Sequence, residues 1–320
     1  MIPLLVNYIK EQTKKHNENN ITRTKAYLNF YEQFPEIRWA FLASFVSRNA
    51  GWNMTDLQTD PYVQFLSEDK RKSLYLTYES INWYIFQDAY PQLLIYQLSI
   101  EKKTPLFFLL KHFYVSSFIE EEWYRFYRNR KEERLLYAQI INEQNIVEQP
   151  IMEHRPYKNK IFRSFPFQMQ NMMDFNAVLL PTENGQLYGE FVSNFLSVSK
   201  RISIGKKIAN LLFYPYLYPL FLSFSRNIEI DGSRLEYEQF LDQQPIQSEP
   251  LMDFYRNTDH NWTDYKGDWA KDTKVKRKWW KEEKVRDLQP LNEAFYQKRE
   301  WLQHMSSIKS SIKHESVEKS

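Results

Sequence analysis

Arg48, Asn49, Trp52, Asn53 and Asp56 crowd the segment that follows an uncharged run from Trp39 to Ser47. A helix without charge on any face belongs in a core. A guanidinium at its end therefore sits beside that core and needs an anion or several acceptors. Two readings fit. In one, Asp56 neutralises Arg48 from within, Trp52 fills core space, and the segment is a capping turn. In the other, Arg48, Asn49 and Asn53 face a polar pocket and hold a ligand.

A second group lies between Phe118 and Asn145, which reads as one long helix. With Ile119 as origin, Trp123, Phe126, Tyr127, Tyr137 and Ile141 fall within about 100° of one another. Arg130 and Arg134 lie inside that stripe, one turn apart, and Gln144 shares the face. Long arginine stems can snorkel from an apolar stripe to its edge. Alternatively, two flat donor forks between helices form an anion site. Glu143, in the polar run Asn142 to Asn145, is a candidate general base if buried beside an arginine. A solvated helix end explains that run equally well. A second carboxylate for glycosidase-type work cannot be placed from the spacing. Glu120 to Glu122 suits an acidic first helical turn.

Several chemistries are disfavoured. The 6 glycines form no phosphate-cradling run. There is no cysteine, which removes thiol nucleophiles and cysteine metal sites and fits a reducing compartment. The 6 histidines are scattered, and no HExxH or GxSxG occurs. No metal or cofactor is implied. Residues 259–320 carry 14 basic and 11 acidic side chains, leaving 29 of each before them. Bulk charge does not suggest a nucleic-acid-binding domain.

Helices must position these residues. Pro35 opens Glu36–Arg48, and Gly51 suits a left-handed exit near Asn49 to Gly51. Asp69–Ala89 is amphipathic, with Leu74, Tyr78, Ile81, Ile85 and Ala89 on one face and Ser67 as N-cap. Pro91 begins a further segment to Ile100, and Leu106–His112 follows. Glu121/Arg125 and Arg128/Glu132 are spaced for i,i+4 pairs on an exposed face. Residues 150–190 read as irregular, save one β-hairpin made by Val178–Leu180 and Gln186–Val192. Ser199–Phe213, Tyr218–Ser225 and Ser233–Leu241 are expected helices. Residues 208–225 are uncharged and approach spanning length. Pro215, Pro219 and the tyrosines favour a buried helix–turn–helix instead. The N-terminus lacks the features of a signal peptide.

The last part of the chain has its own character. Lys276, Arg277, Lys278 and Lys281 surround Trp279 and Trp280. Basic residues with tryptophan suit an anionic membrane surface or a protein partner. Stacking on single-stranded nucleic acid is a weaker fit. Otherwise the rings pin the tail to the domain.

The segments Asn20–Tyr27, Pro35–Ala40 and Val46–Leu57 resemble the bacillar YppC-like family of uncharacterised proteins. The resemblance extends through Asn142–Gln144 and Arg201–Leu212. It implies a bacterial, cytoplasmic setting and no chemistry, because the family carries no established activity.

The expectation is a mainly α fold: a multi-helix globular domain over 1–258, with at most one small β-hairpin. A charged, tryptophan-rich extension over 259–305 packs on the core or a partner, and 306–320 is a tail without structure. Two functions remain open. One is a non-enzymatic helical binding or interaction protein, peripheral to a membrane through its extension. The other is an enzyme with an interhelical anion pocket using Arg48, Arg130 and a carboxylate such as Glu143 or Asp56.

Overall fold

In the computed structural model the chain is mainly α-helical, with a single two-stranded hairpin among the described residues. Those residues are 2–148, 177–192, 196–241, 248–260, 268–284 and 288–318, with side chains described to 305 and at 307 and 308. The irregular reading of Pro150–Pro166 and the position of Trp262 lie outside them.

Helix α3 (Arg38–Asp56) is the axis of the fold. Trp39, Phe41, Leu42, Phe45 and Trp52 are all buried, as an uncharged run requires. Around it pack α2 (Asn20–Gln33), α5 (Glu68–Glu101), α7 (Glu132–Ile146), strand β1 (Ala177–Pro181) and α8 (Val198–Leu212). α2 begins with a capping box, in which Asn19 and Thr22 exchange side-chain and backbone bonds. α1 (Ile2–His16) lies on α5, and α6 (Ser117–Asn129) on α7.

Three helix boundaries differ from the sequence reading. α3 does not stop at Gly51 but runs on to Asp56. Gly51 serves close approach rather than exit: a Cβ there would lie 2.8 Å from Asn20 Oδ1 and 3.2 Å from Gly232 Cα. α5 runs through Pro91 without a new start. Proline inside a helix costs roughly 3 kcal/mol, which the buried Phe86, Leu93, Leu94 and Ile95 on either side outweigh. The long helix from 118 is two helices, because Arg130 adopts a left-handed conformation with φ 55°. Its N–H caps Phe126 O at 2.8 Å, and its guanidinium donates to the Tyr96 hydroxyl at 2.8 Å. α6 can then fold back onto α7. With the phase broken there, the shared stripe of Arg130 and Arg134 does not exist.

The hairpin forms where expected. β1 pairs antiparallel with β2 (Leu187–Phe191), Leu179 opposite Gly189. α8 and α9 (Tyr218–Asn227) are separated by the Tyr214–Leu217 turn. No helix among the described residues is long and apolar enough to cross a membrane.

The segment after residue 259 contributes to the core. Trp269, Trp279 and Phe295 are buried in the main hydrophobic cluster. Trp269 Nε1 donates to Asn142 Oδ1 at 2.9 Å and Trp279 Nε1 to Ser199 Oγ at 2.9 Å. A last helix runs Asn292–Glu318, across the residues expected to lack structure.

Replacing Gly51 by alanine tests the close approach. In an ordinary helix interior Gly→Ala stabilises by about 1 kcal/mol. Here the added methyl meets Asn20 and the Gly232 backbone, and overpacking costs about 1–3 kcal/mol. Gly51→Ala should therefore lower the melting temperature, whereas a rise in thermal scans would mean the contact gives way freely.

Candidate functional site

The amphipathic stripe of α5 does not fill the core as its periodicity suggests. Its neighbouring face does so, through Tyr75, Glu79, Trp83 and Phe86. Of the stripe only Ala89 is buried. Leu74, Tyr78, Ile81 and Ile85 are half-buried and form one wall of a cavity of about 170 Å³. Val46 and Ala50 of α3 face them, and Val178 of β1 closes a third side.

Polar groups gather on this apolar space. Asn49, Asn53, Glu143 and Gln144 all line it, so four of the nine candidate ligand residues converge. Their roles differ. Asn49 docks the hairpin on α3, donating to Leu179 O at 2.8 Å and accepting from Leu179 N at 2.7 Å. Its amide thus replaces a missing strand partner. Asn53, one turn on, is half-buried. Glu143 accepts from Trp39 Nε1 and from Gln144 Nε2, both at 2.9 Å. Gln144 accepts in turn from Arg201 Nε at 2.8 Å, and Arg201 pairs with Glu148 at 2.5 Å. Burial pushes the Glu143 carboxyl up to about 7, against the opposing pull of the bonds from Gln144 and Trp39.

The remaining candidates lie elsewhere. Arg48 is buried, but its anion is Glu236 and not Asp56. Carbonyls of Ile228 and Glu229 accept from it too, at 2.9 and 3.2 Å. Asp56 pairs instead with Arg234. Trp52 is packed edge-on against Tyr237, away from the cavity. Arg130 is exposed on Tyr96, Phe126 and Tyr127. Arg134 grips Glu122 with two bonds of 2.6 and 2.7 Å. The expected i,i+4 pairs are replaced by Arg125–Glu122 within α6 and by Arg38–Glu132, the break at Arg130 having separated Arg128 from Glu132.

Of the surface candidates, Lys276, Arg277, Lys278 and Lys281 are exposed. Trp279 is turned inward, and Trp280 lies under the Arg134 guanidinium, 4.4 Å from its ring centre. Among the described residues no group of histidine and carboxylate side chains is placed to hold a metal.

A buried polar centre on the inner side of α7 was missed altogether. Asp88 Oδ2 accepts from Gln92 Nε2 at 2.6 Å and Asn142 Nδ2 at 2.7 Å. Gln92 Oε1 accepts from Trp123 Nε1 at 2.8 Å and Gln139 Nε2 at 2.9 Å. Ser116 and Trp269 complete the set on Asn142 Oδ1. One signal was available: Asp88 is the sole charged residue between Glu79 and Glu101. An isolated acid in an apolar helix needs internal donors.

Fold and cavity together describe a helical protein built round a buried axis, with an apolar chamber carrying a carboxyl and amides. The chain belongs to the family described as protein of unknown function DUF2515, which it matches over residues 15–303. It is 40% identical over 309 residues to the uncharacterized protein YppC of Bacillus subtilis (strain 168), covering 97% of this chain and 96% of that protein. No solved structure matches it.

The carboxyls give a pH signature. Burial raises Asp88 from 3.8 to about 7 and Glu143 from 4.5 to about 7. Between those values the folded chain holds protons that the unfolded chain has released, so stability falls as pH rises through the window. Asp88→Asn keeps an acceptor for Gln92 and Asn142. Denaturant melts at about pH 5 and about pH 8 should show a loss of a few kcal/mol in the parent and a smaller loss in Asp88→Asn. Equal losses would mean that Asp88 is ionised in both conditions.

Proposed function

We propose that this protein is a non-enzymatic binding protein for a small apolar molecule, held in the cavity between α3, α5, α7 and the hairpin. One observation carries the reading. The apolar stripe of α5 is half-buried and lines this cavity instead of being fully packed against another helix among the described residues. Concave, mostly apolar chambers with a few polar groups are how proteins take up small ligands. Each buried methylene contributes about 0.8 kcal/mol. The enzyme reading has less support, since Arg48 and Arg130 belong to Glu236 and Tyr96.

The neutral probe N-phenyl-1-naphthylamine brightens in apolar surroundings and should do so with this protein. Ile81→Trp fills the chamber and should weaken that binding at least about tenfold, a step of about 1.4 kcal/mol. Circular dichroism checks that the variant keeps its helices. A parent protein that leaves the probe dark, or an Ile81→Trp variant that binds it as well, would rule the cavity out as a ligand site.

A second reading concerns the surface. Lys271, Lys274, Lys276, Arg277, Lys278, Lys281 and Lys284 are all exposed along one short segment. Trp279 and Trp269 tie that segment to the domain. Such a ridge suits electrostatic attachment to an anionic membrane surface, at about 1 kcal/mol for each basic residue near it. In flotation assays the protein should rise with phosphatidylglycerol vesicles and not with phosphatidylcholine, and salt should release it. Joint replacement of Lys276, Arg277 and Lys278 by glutamate should abolish flotation. Recovery independent of lipid charge would exclude this attachment.

A further inference from the structure

Among the described residues Glu143 is the one carboxyl on the cavity wall, and no lysine or arginine lines the chamber. The other polar linings are amides, a threonine and a tyrosine. The donors to Glu143 are both neutral: an indole N–H and a side-chain amide. The nearest arginine in that chain, Arg201, stops at Gln144 and spends its charge on Glu148. A carboxylate has about four acceptor positions, so these two bonds leave room for more. A carboxylate held in apolar surroundings without a cation is unfavourable, and a cation brought by a ligand relieves it.

An ammonium group meets each of these conditions. It offers three donors and no acceptor. It answers the charge of Glu143 directly. Asn53 and Tyr78 line the same chamber, and a side-chain amide oxygen and an aromatic ring both favour a cation. A carboxylate-headed ligand would instead meet the like charge of Glu143. The hydrocarbon part would lie along Leu74, Ile81, Ile85 and Val178.

We propose that the ligand class of this cavity is apolar amines, with the ammonium group paired to Glu143 and the hydrocarbon laid against the α5 stripe. The proposal rests on the cavity being a ligand site.

Competition against bound N-phenyl-1-naphthylamine tests it. Octylamine, octanol and octanoate share one chain length and differ only in the head group. At about pH 8 alkylamines are protonated and Glu143 is largely ionised. Octylamine should displace the probe at roughly tenfold lower concentration than octanol, with octanoate weakest. In Glu143→Gln the octylamine-to-octanol ratio should fall to near one. The parent series decides the matter even if that variant does not fold. Octanol or octanoate matching octylamine would overturn the amine assignment while leaving the cavity as a ligand site. Failure of the neutral probe itself to bind would overturn both.

Discussion

A helix buried on every side must settle each of its polar groups within the protein. Helix α3 is buried over most of its surface, and the rest of the fold meets that demand for most of its polar groups, Arg48 Nη1 and Trp52 Nε1 excepted. Ser47 accepts from Asn20 through both its carbonyl and its hydroxyl, at 2.8 and 3.2 Å. Thr24 donates to the same hydroxyl at 2.7 Å. Asn49 holds Leu179, Thr55 donates to Gly232 O at 3.0 Å, Arg48 takes Glu236 and Asp56 takes Arg234. These partners sit on three separate pieces of chain. Satisfying α3 therefore fixes α2, the hairpin and the 228–238 segment in place together. The cavity follows from this arrangement. Asn49 holds the hairpin over one side of α3, and α5 turns its better-packed face inward, leaving a chamber between them.

Polarity inside the fold is divided by α7. Neighbouring residues on this helix reach different surroundings and do different things. Asn142 joins a closed network in which each side-chain nitrogen has a hydrogen-bond acceptor. Glu143 and Gln144 face the chamber, where the carboxyl has two neutral donors and no cation. Networks that are fully satisfied rigidify a core, whereas a partly satisfied carboxyl is free to respond to a ligand. The polar run of the sequence thus conceals a boundary between scaffold and cavity wall.

Much of the architecture was legible. The uncharged run of α3 announced a buried axis, and the runs Val178–Leu180 and Gln186–Val192 announced the hairpin. The proline pair at 215 and 219 announced a break between two short helices. What misled was local chemistry overruled by packing. Pro91 reads as a start, yet the helix continues because its flanks are buried. Gly51 reads as an exit, yet it is needed where two backbones approach. The break at Arg130 went unread because arginine is an uncommon left-handed residue; its own N–H on Phe126 O, the Asn129 side chain on Lys131 N and the contact with Tyr96 hold the turn together. The sequence reading held Asn49 and Asn53 in one group and Glu143 and Gln144 in another, and the structure brings the four to one chamber. The arginines are not part of it, because a guanidinium finds its anion in space. Glu236 lies 188 residues from Arg48 along the chain.

The bond from Trp269 to Asn142 spans 127 residues. A ribosome releases the chain from its N-terminus, so α5, α6 and α7 emerge long before that indole does. During the interval the central network lacks one of its donors, and the surface that Trp269 and Trp279 will cover stays open. Completion of the core is thereby deferred until the segment that carries Trp269 and Trp279 has been made. A nascent chain halted before that point would expose an apolar flank, which is the kind of surface that chaperones and proteases recognise.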